Sequence, residues 1–126
     1  MTPDIPLIIV DAANVVGSVP DGWWRDRRGA TERLRDQRSG LHAEGIDGVG
    51  GPVEVVMIVE GRARGVSSSP TVSTIAATGS GDDRIVEVVA AHPGRRRIVV
   101  TADRELRRRV RESGAEVAGP STVRRH

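Results

Sequence analysis

The chain has 126 residues, 37% hydrophobic and 29% charged, with a formal net charge of +2, a composition that fits one domain (1–126) large enough to bury a real core. It has no cysteine, which excludes disulfide scaffolds, thiolate zinc sites and cysteine nucleophiles. All 19 basic residues are arginine, which excludes Walker-type phosphate binding, Schiff-base chemistry and any lysine acid–base step.

The opening Met-Thr-Pro-Asp has no basic start and no cleavage-site pattern after an apolar run, so a cytoplasmic location is expected. The longest apolar runs, Leu7 to Val10 and Val55 to Val59, are far too short to span a bilayer, and no membrane partner is expected. The first strand is predicted over Ile5 to Val10, where β-branched residues follow one another. A helix is expected from about Ala30 to Ala43, with Ala30, Leu34 and Leu41 on one face. Gly45 to Pro52 reads as a loop, followed by a second strand over Val53 to Val59. Gly61 to Thr71, with its Ser-Ser-Ser-Pro centre, reads as a flexible loop. A weaker third strand is expected around Val72 to Ala76. Ile85, Val88 and Val89 form the apolar side of a helix from about Asp82 to Ala91. A fourth strand falls at Arg97 to Thr101, a helix at Arg104 to Glu112, and a fifth strand at Ala115 to Ala118. Asp82 or Asp103 can cap its helix, and Gly114 can stop the last one. Strands without polar alternation, separated by helices, imply an α/β domain with a parallel, doubly wound sheet.

In such a sheet ligands bind beyond the carboxyl ends of the strands, and acids mark those ends here. Asp11-Ala12-Ala13-Asn14 follows the first strand, Glu60-Gly61 the second, and Thr101-Ala102-Asp103 the fourth; Gly79-Ser80-Gly81-Asp82-Asp83 opens the helix before it. Carboxylates gathered on one edge repel one another unless protons or a hard cation offset their charge. Mg²⁺ or Mn²⁺ accepts such oxygen donors and can activate water against a phosphodiester. The amide of Asn14 would orient a water, a phosphate or a neighbouring carboxylate.

Three segments together, Ile-Val-Asp-Ala-Ala-Asn-Val-Val-Gly, Gly-Ser-Gly-Asp-Asp-Arg-Ile and Ile-Val-Val-Thr-Ala-Asp-Arg-Glu-Leu, resemble the NYN branch of the PIN-like nucleases, nearest to bacterial YacP-like NYN domains. The resemblance spans nearly the whole chain. It implies a Rossmann-like sheet of order 3-2-1-4-5, metal-dependent ribonuclease activity and an acidic Mg²⁺ or Mn²⁺ site. Asp11, Asn14, Asp82 or Asp83, and Asp103 match its pattern by position. Glu60 stands where relatives carry a carboxylate, commonly the shorter Asp, and Thr101 where a small hydroxyl residue precedes the last acid, so Thr101 is expected to hydrogen-bond at the site and contact substrate. The expected arrangement has Asp11, Asp83 and Asp103 on one or two ions, with Asp82 and Glu60 touching the metal or one contact removed. Haloacid-dehalogenase-like phosphatases need a second Asp where Ala13 stands, and a lysine. Dinucleotide binding needs glycines that Asp-Ala-Ala-Asn-Val-Val-Gly lacks, and no organic cofactor is expected.

The partner expected is RNA. Arginines cluster at Arg25, Arg27 and Arg28, at Arg95 to Arg97, and along Arg104 to Arg111. Arg62, Arg64 and Arg104 adjoin the acids and would hold flanking phosphates; Arg84 would steady the Asp pair. Trp23 and Trp24 are the only aromatics; one would cover the core and the other could stack a base. His42 and His92 fall away from the strand ends and read as surface residues, and His126 is terminal. Two further readings share this sequence: an RNA-binding module without turnover, and the toxin ribonuclease of a toxin–antitoxin pair.

Overall fold

The computed structural model describes residues 5–19 and 22–123; His126 lies outside them. Five parallel strands form one sheet: β1 (Leu7–Asp11), β2 (Glu54–Val59), β3 (Ser73–Ala76), β4 (Arg97–Val100) and β5 (Glu116–Ala118). Counted by these strands, their order is 3-2-1-4-5, with β1 at the centre. Leu7 to Val10 lie opposite Glu54 to Met57 on one side and Arg97 to Val100 on the other. Every residue of β1 and β4 is buried, as the unbroken apolar runs require of strands covered on both faces.

Side-chain alternation divides the interior into two layers. Ile8, Val10, Val55, Met57, Ile98 and Val100 face one way, onto Val15, Leu34 and Leu41. Leu7, Ile9, Val56, Ile58 and Val99 face the other way, onto Ile85, Val88, Val89, Leu106 and Val110. The first group comes from α1 (Ala12–Gly17), α2 (Arg27–Gln37) and α3 (Leu41–Glu44), the second from α4 (Gly81–Ala90) and α5 (Arg104–Glu112). A single period-2 strand pattern thus packs helices on both sides. Among the described residues, no helix is long and apolar enough to cross a membrane.

Five local features differ from expectation. The helix expected over Ala30 to Ala43 is two, α2 and α3, separated at Arg38–Gly40. Asp26 caps α2 by accepting a hydrogen bond from the Gly29 amide at 3.0 Å. The Gly45 to Pro52 segment contains a two-residue antiparallel ladder, Gly45–Ile46 with Val49–Gly50, lying outside the sheet. Ser80, not Asp82, caps α4, its Oγ accepting from the Asp83 amide at 3.1 Å. The segment after Asp11 is helical at once, as α1, with a 3₁₀ turn at Trp23–Arg25 beyond it. The Gly61 to Thr71 loop starts with a 3₁₀ turn and anchors buried Ala63 and Val66, and Arg35 donates to Ser67 O at 2.8 Å. Gly114 ends α5 in the left-handed region (φ 88°), where a glycine stop is favoured.

Candidate active site

The strand order reverses beside β1: the chain leaves it for β2 and β3 on one side, then crosses to β4 and β5 on the other. Loops diverge at such a point and leave a crevice beyond the carboxyl ends. Asp11 sits there as the last residue of β1, with 5% of its surface exposed. It is also the residue before α1, and its Oδ1 accepts from the Asn14 amide at 3.4 Å. Its Oδ2 accepts from the Thr101 hydroxyl at 2.9 Å. The Thr101 Oγ1 in turn accepts from the Asp103 amide at 3.2 Å. One hydroxyl therefore joins the first acid to the backbone of the last, across two adjacent strands. Thr101 is fully buried and positions these acids, in place of the substrate contact expected of it.

Asp103 caps α5, its Oδ1 accepting from the Leu106 amide at 2.9 Å. Asn14 uses its side-chain carbonyl to accept from the Ala102 amide at 2.8 Å, which fixes the loop carrying Asp103 and leaves the NH₂ donors of Asn14 for a ligand. Glu60 follows β2, and its Oε2 accepts from the Gly81 amide at 2.6 Å, at the first turn of α4. A helix N-terminus favours a carboxylate through its free N–H groups and dipole. A side chain on residue 81 would place Cβ 3.0 Å from the Glu60 carboxyl carbon, so glycine there lets the acid approach.

Asp11, Asn14, Glu60, Asp82 and Asp103, together with Ala13, line one open cavity of about 250 Å³. The other member of the Asp pair is turned elsewhere. Asp83 lies outside this cavity and its Oδ1 accepts from Arg109 at 3.0 Å. Successive helix residues point about 100° apart, and here that step turns Asp82 to the cavity and Asp83 to Arg109. Asp82, not the expected Asp83, is the member of the pair that lines the cavity.

The field in the cavity is negative. Burial pushes the Asp11 carboxyl up to about 6, with Asp82 and Glu60 adding repulsion against the lowering effect of the Thr101 and Asn14 hydrogen bonds. Asp82 is also raised, by burial first and then by Asp103 and Glu60. The acids ring the space without closing on a point: among the described residues, no three are grouped as ligands of one ion. Mg²⁺ commonly takes only one or two carboxylates and completes its shell with water and substrate phosphate, so an all-oxygen cavity of this charge still suits it.

The arginines divide by location. Arg62, Arg64 and Arg104 are exposed and have no carboxylate partner among the described residues; Arg64 donates to Gly61 O at 3.2 Å. Arg84 pairs with Glu87 at 3.0 Å and does not steady the aspartates; Arg109, which the sequence did not single out, does. Arg107 donates to Thr101 O at 2.7 Å and braces the β4–α5 turn. Arg95 to Arg97 lie at the opposite edge of the sheet. There Arg95 and Arg96 pair with Glu54 and Glu116, and buried Arg97 donates to the carbonyls of Val89, Arg95 and Ser113. Arg108 pairs with Glu105 and Glu112 on the surface of α5.

A parallel 3-2-1-4-5 sheet with helices on both faces is a YacP-like α/β fold. The solved structure of Rae1 (YacP) from Bacillus subtilis has this fold: its tryptophan-to-leucine variant superposes with a TM-score of 0.75 at 15% identity, covering 94% of this chain and 72% of that one. The structure of Rae1 (YacP) itself gives 0.74 at 15% identity, over 93% and 70%. No family model and no curated protein matches the chain.

Proposed function

We propose that this protein is a metal-dependent ribonuclease that hydrolyses RNA phosphodiester bonds in the carboxylate cavity. The observation that carries the reading is the convergence of Asp11, Glu60, Asp82 and Asp103, distant in sequence, on one cavity. The YacP-like fold and the resemblance to NYN nucleases support it. One or two of Asp11, Asp82 and Asp103 would hold Mg²⁺ or Mn²⁺ directly, with water and substrate phosphate completing the shell and Glu60 beside them. The bound ion would polarise a phosphoryl oxygen and lower the pKa of a water.

The chain's own residues set the geometry. Thr101 holds Asp11 and the Asp103 backbone in one hydrogen-bonded unit. Asn14, with its carbonyl engaged by Ala102, offers its amide hydrogens to a phosphate oxygen or a water. The Gly81 amide keeps the Glu60 carboxylate at the cavity wall. Arg62, Arg64 and Arg104 bind phosphates on either side of the scissile one.

Labelled RNA incubated with Mn²⁺ is expected to be cleaved by the parent, and not by the Asp11→Asn/Asp103→Asn double variant or in EDTA. Cleavage that persists in EDTA or in the double variant removes the reading. Salt-dependent binding without cleavage would favour an RNA-binding module.

A further inference from the structure

A second cavity adjoins the carboxylates. It has a volume of about 150 Å³ and shares Ala13 and Glu60 with the acidic one. Its apolar surface comes from Ala12, Val16 and Ala63, and Trp23 lines it as well. Ala12 and Ala63 are buried, and Trp23 packs against the end of α1, where a Cβ on Gly17 would touch its indole at 3.5 Å. Arg27 also lines this cavity, with its guanidinium carbon 5.3 Å from the centroid of the Trp23 ring. Thr31, buried beside it, donates its hydroxyl proton to Arg27 O at 2.8 Å; its oxygen retains acceptor capacity.

We infer that this cavity is a nucleobase subsite that receives a pyrimidine of the RNA strand whose phosphate lies among the carboxylates. The inference rests on the ribonuclease reading for that phosphate. Three features carry it. A cavity of about 150 Å³ with an apolar wall of Ala12, Val16 and Ala63 accommodates one six-membered aromatic ring, and a pyrimidine is the base built on a single such ring. Trp23 supplies an aromatic surface, and base–aromatic contacts are a general means of holding single-stranded nucleic acid. The acidic wall shared through Glu60 and Ala13 puts the base beside the phosphate cavity, while Arg27 adds a positive charge for the strand's backbone.

The test measures binding of RNA hexamers of cytidine, uridine or adenosine in EDTA, read by fluorescence of the remaining indole in a Trp24→Phe background, alongside cleavage of the same hexamers in Mn²⁺. The cytidine and uridine hexamers are expected to quench Trp23 and, through fit in the cavity, to bind roughly tenfold more tightly than the adenosine hexamer. Ala63→Leu, which fills the cavity, is expected to abolish that difference. Trp23→Leu, followed by competition against labelled cytidine hexamer and with folding verified by circular dichroism, is expected to do the same. Equal affinity for the three hexamers in the parent, or a preference that survives a folded filling variant, overturns the subsite. Cleavage without base preference would sink the subsite and leave the ribonuclease reading intact. Pyrimidine-selective binding without cleavage in Mn²⁺ would do the reverse.

Discussion

Replacing Asp11 by Asn should stabilise the protein at neutral pH while abolishing its activity. The Asp11 carboxyl is raised from 3.8 to about 6, mainly by burial. A carboxyl raised in the folded state binds its proton more tightly there than in the unfolded chain. The folded protein therefore loses stability as pH rises from about 4 through 6, and regains it as pH falls. A shift of about two units corresponds to about 3 kcal/mol once the group is ionised in both states. Asparagine has nearly the same shape but only one carbonyl oxygen; with that oxygen on the Thr101 hydroxyl, its NH₂ replaces the acceptor of the Asn14 amide, a loss of about 1 kcal/mol that offsets part of the gain. Urea denaturation in EDTA should thus show Asp11→Asn more stable than the parent by about 1–3 kcal/mol at pH 7.5, with the gap closing near pH 4. A variant less stable than the parent at pH 7.5, or a gap that ignores pH, would refute the argument that buried charge at this position opposes folding.

Substitutions at four other positions separate roles in and beside the cavity. Gly81→Ala should push the Glu60 carboxylate away, since Cβ would stand 3.0 Å from its carboxyl carbon, and RNA hydrolysis should fall roughly tenfold or more at unchanged fold; kinetics within twofold of the parent would mean that Glu60 placement is unimportant. Asp103→Ala should cost about 1 kcal/mol of stability through the lost cap on α5, whereas Asp103→Ser should restore the cap without restoring hydrolysis, as measured by thermal melting and RNA cleavage together. Asp82→Asn should suppress hydrolysis, while Asp83→Asn should leave it near the parent rate and change stability by less than about 1 kcal/mol, because its pair with Arg109 is exposed; the opposite ranking would return Asp83 to the cavity.

Much of this arrangement is legible in the sequence because burial on both faces leaves a clear mark. β1, β2 and β4 are built on the unbroken apolar runs Leu7 to Val10, Val55 to Val59 and Ile98 to Val100, and α5 starts and ends where its apolar spacing and Gly114 put it. The sheet order rested on family resemblance, and the structure agrees with it. α1 was hidden because Val15 and Val16 continue the β-branched character of β1, and only the Asp11 side chain marks the change. The break between α2 and α3 was hidden because Ala30, Leu34 and Leu41 keep helical spacing across the non-helical Arg38–Gly40 segment. Asp82 and Asp83 were indistinguishable without the start of α4: Ser80 as its cap sets the phase that turns one inward and the other toward Arg109. The parts played by Gly81 and Arg107 depend on contacts between distant segments. Gly81 was visible within the Gly-Ser-Gly-Asp-Asp motif, but nothing in the chain linked it to Glu60.

The central claim is that the cavity lined by the four carboxylates binds a divalent cation. Anomalous diffraction from crystals soaked in Mn²⁺ tests it most directly. The account predicts a peak inside the cavity bounded by Asp11, Glu60, Asp82 and Asp103, in contact with at least one of these carboxylates and lost in the Asp11→Asn/Asp103→Asn variant. No peak in that cavity at saturating Mn²⁺, or a peak held by Asp83 and its neighbours alone, would contradict it.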